Sequence, residues 1–377
     1  MRVLVTWARP SGNANLGVAV LAEGSAALVR AAWGDETDVG FQDFGRAEGM
    51  PGFTRKTLLK DMLCLGYGPV RKRLRQFDWV LDTGAGDSFT DGYGLSRLLQ
   101  MTYVRVAARR AGVALVLGPQ TIGPFSTRVG RRIGKLGLHA AHVVIARDST
   151  SARASSELGR DVDALITDVV FALPLPDQAA TERDIILNVS GLLWHDNPHV
   201  PAQHYRAIVR EIIDYLLSRG RGVTLLAHVA DQENLDLLDN DVPALLALQS
   251  EYGDAVEIFI PGSLDEVRAT LRHANLVIGS RMHACLNALS VGTPAVPLAY
   301  SRKFAPLMAD LGWPHHLDLR EVDGVADPCL RLIDTVLADV AGATALVHDL
   351  SSKARVEATN AGAVLRDMLS AHRHPVK

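Results

Sequence analysis

Short apolar runs recur along the chain, each closing on a polar, glycine-bearing turn and followed by a stretch with helical spacing. Residues 2–6 read as a first strand, 18–33 as a helix, 39–44 as a short strand, 54–77 as helical and 78–82 as a buried strand. The alternation continues with a helix over 93–111, a strand over 114–117, a helix over 128–140, a strand over 143–146 and a helix through 158, before 161–171 closes this half. Beyond it, strands at 185–189, 222–227, 256–260, 276–278 and 295–299 alternate with helices at 201–218, 232–238, 243–252, 263–272 and one opening near Arg281. The stretch 301–311 and the alternating 317–322 complete the second sheet, and helices over 328–341 and 343–369 end the chain. Strands and helices in this rhythm predict a parallel α/β protein. Pro174 and Pro176 mark the linker, giving domains over 1–175 and 176–345 and a final helix, 346–377, that returns to the first.

A length of 377 residues suits two such domains, and 21% charged residues with a net charge of −3 exclude a disordered chain or a nucleic-acid binder. The basic run Arg71, Lys72, Arg73 and Arg75 reads as a solvated helix face, because no aromatic residues interleave with it. No window holds 18 consecutive apolar residues, and the start runs straight into Val3-Leu4-Val5 without a leader layout, so a cytoplasmic location with no transmembrane segment is expected. Cys64, Cys285 and Cys329 are widely spaced and read as small buried residues. His195 and His199 are separated by Pro198 and lack an acidic partner, so no metal site is expected.

Candidate chemistry concentrates at strand ends. Leu276, Val277 and Ile278 lead into Gly279-Ser280, a turn with a helix N-cap candidate, and Arg281 and His283 then occupy the first helical turn. A cation and an imidazole beside a helix N-terminus suit a phosphate or carboxylate, although a solvated arginine and a capping histidine would look the same. His228 ends another strand, with a site role and a structural role both open. After the first strand, Asn13, Asn15 and Gly17 either line a crevice or simply form a turn. The turn after the 78–82 strand has Gly84 and Gly86 but Phe89 where a dinucleotide fingerprint needs glycine, which removes the main support for a dehydrogenase. There, Asp87 offers a general base or an anchor for an acceptor sugar, while Asp91 reads as an Asx-turn cap. Gln120 lies in a loop with two prolines and two glycines, a pocket-shaping composition, and Arg147 sits at a strand end before a helix capped by Asp148 or Ser149.

Taken in order, 118–125 (GPQTIGPF), Arg147-Asp148-Ser149, 167–171 (TDVVF), Ser280-Arg281-Met282-His283 and 288–294 (ALSVGTP) resemble the polysaccharide pyruvyl transferase family over nearly the whole length. The resemblance implies two Rossmann-like α/β domains facing each other across a cleft, the GT-B arrangement, with the first domain on the acceptor side and the second on the donor side. It implies transfer of a carboxyethylidene group from phosphoenolpyruvate to two sugar hydroxyls, with no cofactor beyond that donor. Arg281 and His283 match the family's Ser-Arg-x-His motif at the donor site, with Ser280 its serine. Arg147 matches a basic position facing the same cleft, and Asp87 the acidic residue after the glycine-rich turn. The family's Asn-x-Gly-Asp loop departs here, because Val18 follows Asn15-Leu16-Gly17. Partners implied are a small-molecule donor and a sugar-containing acceptor, with a homo-oligomer compatible. A sugar-nucleotide glycosyltransferase of the same architecture, or a non-catalytic binder of an anionic metabolite, are the competing expectations.

Overall fold

The computed structural model describes residues 1–11, 14–45, 52–64 and 67–373, with side chains up to residue 367; Asn13 therefore lies outside the described residues. The chain divides into two compact units, the first formed by Met1–Gly12, Val18–Leu173 and Ala354–Lys377, the second by Asn13–Gly17 and Pro174–Lys353.

Unit 1 is built on six parallel strands: β1 (Arg2–Thr6), β2 (Asp38–Gln42), β3 (Trp79–Asp82), β4 (Ala114–Gln120), β5 (Val143–Ala146) and β6 (Ala164–Leu165). Their order is β2-β1-β3-β4-β5-β6. Helices α1 (Leu16–Trp33), α2 (Arg55–Leu63), α3 (Pro69–Leu74), α4 (Leu95–Arg110), α5 (Arg128–Ala140) and α6 (Ser149–Ser156) connect them. Every residue of β3 and β5 is buried, as expected of parallel strands covered on both faces. Among the described helices, α1 is the one long and apolar enough to cross a membrane, and most of it is buried in the fold.

Unit 2 repeats the plan with β7 (Arg183–Asn188), β8 (Val223–Leu226), β9 (Val256–Phe259), β10 (Ala274–Gly279), β11 (Ala295–Ala299) and β12 (Leu317–Asp318), ordered β12-β11-β10-β7-β8-β9. Its helices are α7 (Gly191–Trp194), α8 (Ala202–Ser218), α9 (Val242–Tyr252), α10 (Leu264–Arg272), α11 (Met282–Ser290), α12 (Phe304–Leu311), α13 (Asp327–Ala338) and the start of α14 (Val340–Arg373). From Ala354 onward α14 belongs to unit 1, where Ala354, Ala358, Ala361 and Leu365 form a buried stripe at helical spacing.

Renumbered from its first strand, unit 2 has the doubly wound order 3-2-1-4-5-6. The order reverses between β7 and β10, so a crevice at their carboxyl ends is where this topology places a ligand. In unit 1 the corresponding reversal falls between β1 and β3.

Five sequence expectations give way. The 301–311 stretch, expected to complete the second sheet, instead carries helix α12, with Phe304, Leu307, Met308 and Leu311 buried at helical spacing. The helix expected over 54–77 breaks at Gly68, which is extended, and restarts at Pro69, whose missing N–H suits a first turn. No helix forms over 232–238, because local side chains take the backbone partners: Asp231 accepts from the N–H groups of Glu233 and Asn234, and the Asn240 amide donates to the carbonyls of Asp231 and Asn234. The expected 317–322 strand is only Leu317–Asp318, after which the Asp318 carboxylate accepts the Arg320 N–H and turns the chain. Cys64 is exposed at the end of α2, while Cys285 and Cys329 are buried.

Candidate functional site

In unit 2 the site candidates gather at the reversal point. The chain leaves β10 through Ser280 and Arg281, and Arg281, in extended conformation, occupies the N-cap position expected for Ser280. The reason is a bond across the reversal: Asn188, the last residue of β7, accepts the Arg281 N–H through Oδ1 at 2.9 Å. Ser280 is fully buried with its Oγ 2.9 Å from Tyr205 Oη, which also accepts the Ser190 N–H. Burial pushes the Tyr205 phenol above its ordinary range.

The Arg281 guanidinium is held by two carboxylates. Nε and Nη2 donate to Asp241 Oδ1 at 3.1 and 2.6 Å, Nη1 to Asp239 Oδ1 at 2.6 Å, and Nη2 also to the Asp239 carbonyl. Asp241 is completely buried and accepts three further backbone N–H groups, from Gly191, His228 and Val229. Asp239 differs, with a side chain 52% exposed. Burial alone would lower the pKa of Arg281, but Asp241 and then Asp239 outweigh it and raise it.

His228 and Asn15 join the same cluster through main-chain pairing. The 14–16 segment lies antiparallel to 228–230, with Leu16 N donating to His228 O at 3.1 Å and Ala230 N to Ala14 O at 2.8 Å. Asn15 Oδ1 accepts the Gly17 N–H at 2.9 Å, which seats Gly17 against the His283 ring. A Cβ at Gly17 would lie 2.9 Å from His283 Nδ1, so glycine is required for this approach. His283 is half-buried in the first turn of α11. His228 is 1% exposed, and its Nε2 lies 3.2 Å from Asn287 Nδ2. Burial first, then the neighbouring His283 and Arg281, hold its pKa well below 6.5, so it is a neutral ring at neutral pH.

Unit 1 carries the remaining candidates. Gln120 is fully buried and its amide is used internally: Nε2 donates to the Asp82 carbonyl at 2.8 Å, and Oε1 accepts from Arg105 Nη2 at 3.1 Å. Arg105 in turn forks onto Asp82, which also accepts the Trp7 indole N–H at 2.8 Å. Gly84 has φ 60, and a Cβ there would collide with Gln120 Oε1. The glycine pair thus builds a close-packed turn. Asp87, half-buried in that turn, accepts from Tyr93 Oη at 2.9 Å, and the Asp91 carboxylate holds the N–H groups of Ser126 and Thr127 ahead of α5.

Arg147 is 1% exposed and donates through Nη1 to Asp168 at 3.0 Å. Its Nε and Nη2 are buried without a hydrogen-bond partner among the described residues. Donors left bare in this way are costly unless a ligand meets them. Asp148, rather than Ser149, caps α6 by accepting the Ser151 N–H at 2.7 Å. Among the described residues, no three His, Cys, Asp or Glu side chains come together as metal ligands.

Of the residues singled out in the sequence, Asn15, His228, Ser280, Arg281 and His283 form one cluster in unit 2, whereas Asp87, Gln120 and Arg147 lie in unit 1. The residues missed were Asp241 and Asp239. A carboxylate pair about forty positions before a basic helix start has no sequence signature.

Residues 54–302 match the family model described as polysaccharide pyruvyl transferase. Over 259 residues the chain is 25% identical to the amylovoran biosynthesis protein AmsJ of Erwinia amylovora; the match covers 64% of this chain and 61% of that relative, less than two thirds of its length. Among solved structures, UDP-GlcNAc 2-epimerase of Neisseria meningitidis is similar with a TM-score of 0.58 at 11% identity, covering 98% of this chain and 100% of that one. The Anabaena protein Alr3699/HepE is similar with a TM-score of 0.57 at 14% identity over the same shares. At these identities the likeness establishes the fold, two Rossmann-like α/β units of the GT-B type.

Proposed function

The chain belongs to the polysaccharide pyruvyl transferase family, and on that premise we propose that it is a transferase moving the carboxyethylidene group of phosphoenolpyruvate onto two hydroxyls of a sugar. The acceptor is a cell-envelope glycan, a glycolipid or a related molecule, and the products are a pyruvate ketal and phosphate. The observation that carries the reading is the Arg281–His283 helix start at the sheet reversal of unit 2, inside the family-matched stretch.

Protonation of the donor's methylene carbon makes the adjacent carbon electrophilic, and one sugar hydroxyl adds to it. Phosphate then leaves as the second hydroxyl closes the ring. One hydroxyl proton replaces the one delivered to the methyl group and the other is taken up by phosphate, so the reaction balances without a redox partner. His283, half-buried at the helix start, is assigned to proton transfer or to the leaving phosphate. Arg281 and Arg147 are assigned to the donor's anionic groups and Asp87 to acceptor activation. Arg281 is offset by two carboxylates, so a donor anion must displace one of them. Asp239 is the one that can move, because its side chain already reaches water while Asp241 is locked by three N–H groups. Arg147 spends Nη1 on Asp168 and keeps Nε and Nη2 without a partner among the described residues, so it can meet an anion without releasing that carboxylate. His228, neutral and buried, supports the cluster rather than carrying a proton.

The test is phosphate release from phosphoenolpyruvate over a panel of sugar acceptors, comparing the wild type with Arg147→Gln, Arg281→Lys and His283→Gln. Loss of one clamp contact should cost about 2–4 kcal/mol of transition-state binding, roughly 30- to 900-fold in kcat/KM. Arg281→Lys is preferable to alanine because it leaves a charge opposite Asp241. Release independent of acceptor would be hydrolysis to pyruvate and would overturn transfer to a sugar, whereas a thermal shift given by a nucleoside diphosphate sugar and not by phosphoenolpyruvate would turn the assignment to glycosyl transfer.

A further inference from the structure

Unit 1 has a second concave feature that shares no residue with the clusters above. Helices α2, α3, α4 and α5 enclose a cavity of about 1030 Å³ whose apolar walls include Leu59, Met62, Leu99 and Leu136, all at least half exposed. Arg55, Arg71, Arg75 and Arg110 stand around it, and among the described residues no acidic side chain lines it. Asp61, beneath, is fully buried and consumed by the N–H groups of Val70 and Arg71 and by Tyr103 Oη, so it offsets at most Arg71. Of the seven Lys or Arg in residues 55–75, Arg55, Arg71 and Arg75 line the groove, and Arg110 joins them from α4, in a chain whose net charge is −3. Of the basic run that reads in sequence as a solvated helix face, Arg71 and Arg75 line this groove.

Apolar side chains of this size are seldom left together in water without a partner. This groove offers apolar volume and diffuse positive charge, and Gln100, Thr102 and Tyr103 in its lining already donate to the Phe53 carbonyl, the Ile133 carbonyl and Asp61. We propose that this face docks on a bilayer containing anionic lipid, with Leu59 and Met62 entering the acyl layer and Arg55, Arg75 and Arg110, all exposed, meeting lipid phosphates. It does not depend on the reaction proposed above.

Co-sedimentation of the full chain with phosphatidylcholine vesicles, with and without phosphatidylglycerol, tests it. Binding is expected only with phosphatidylglycerol, weakening as salt rises. Arg55→Gln, Arg75→Gln and Arg110→Gln should each weaken it about fivefold, the equivalent of about 1 kcal/mol per charge. Leu59→Ser combined with Met62→Ser should lower binding without restoring salt independence. All five positions are exposed, so melting temperatures should stay near wild type. No binding to the anionic vesicles, equal binding to neutral ones, or variants that bind like wild type would overturn the proposal. So would a dimer in solution that these same substitutions dissociate, since a second copy would then be the occupant.

Discussion

Arg281 illustrates how a residue's neighbours change what its type implies. A basic residue at a helix start reads as a waiting anion clamp, yet here it is paired with Asp241 inside and Asp239 at the surface. The two acids should respond differently to substitution. On the proposed donor assignment, Asp239→Asn removes an exposed competitor, so phosphoenolpyruvate should bind several-fold more tightly by calorimetry with the fold unchanged, surface pairs being worth about 0–1 kcal/mol. Asp241→Asn leaves a buried arginine short of its counter-charge and should cost about 3–5 kcal/mol in urea unfolding. Weaker donor binding in Asp239→Asn would mean that this carboxylate serves the ligand instead of competing with it. His228 adds a pH dependence. Its folded-state pKa is depressed, so its contribution is fully present above the unfolded value of about 6.5 and is lost as pH falls below it, by up to about 1.4 kcal/mol per pH unit. The stability difference between wild type and His228→Gln, followed downward from neutral pH, should show that slope; a constant difference would contradict the assignment.

At the scale of elements, periodicity located strands and long helices well because burial repeats along them. It failed where side chains compete with the backbone for hydrogen bonds. The 231–240 segment has helical composition, but Asp231 and Asn240 satisfy its N–H and carbonyl groups in a folded loop. The turn after β3 makes the same point in reverse. Its two glycines resemble a failed nucleotide fingerprint, whereas their role is to bring the backbone against Gln120. Gly84→Ala should therefore destabilise the chain by about 1–3 kcal/mol, read as an earlier urea midpoint. Gln120 cannot swing aside, because Arg105 and the Asp82 carbonyl hold both ends of its amide. An unchanged midpoint would show that the turn relaxes more freely than its packing suggests.

For the whole molecule, the two-fold rhythm of strand and helix is legible from residue types alone, because each buried parallel strand must be apolar and each turn must release the chain. The β10–α11 start was visible for the same reason, since apolar run, glycine turn and basic first turn are neighbours in sequence. Sheet order was not, although it decides where ligands bind: the reversal between β7 and β10 brings Asn188 to Arg281 across 93 positions. Nor could spacing reveal that 14–16 pairs with 228–230, that Gln120 is consumed by Asp82 and Arg105, or that two Arg147 donors lack a partner among the described residues. The sequence by itself determined the architecture, the family resemblance and the residue types at strand ends, all of which follow from local burial patterns and short motifs. Only the tertiary structure decided which charges are free, because a charge is neutralised by whatever partner folding brings within about 3 Å, however far away it lies in the chain.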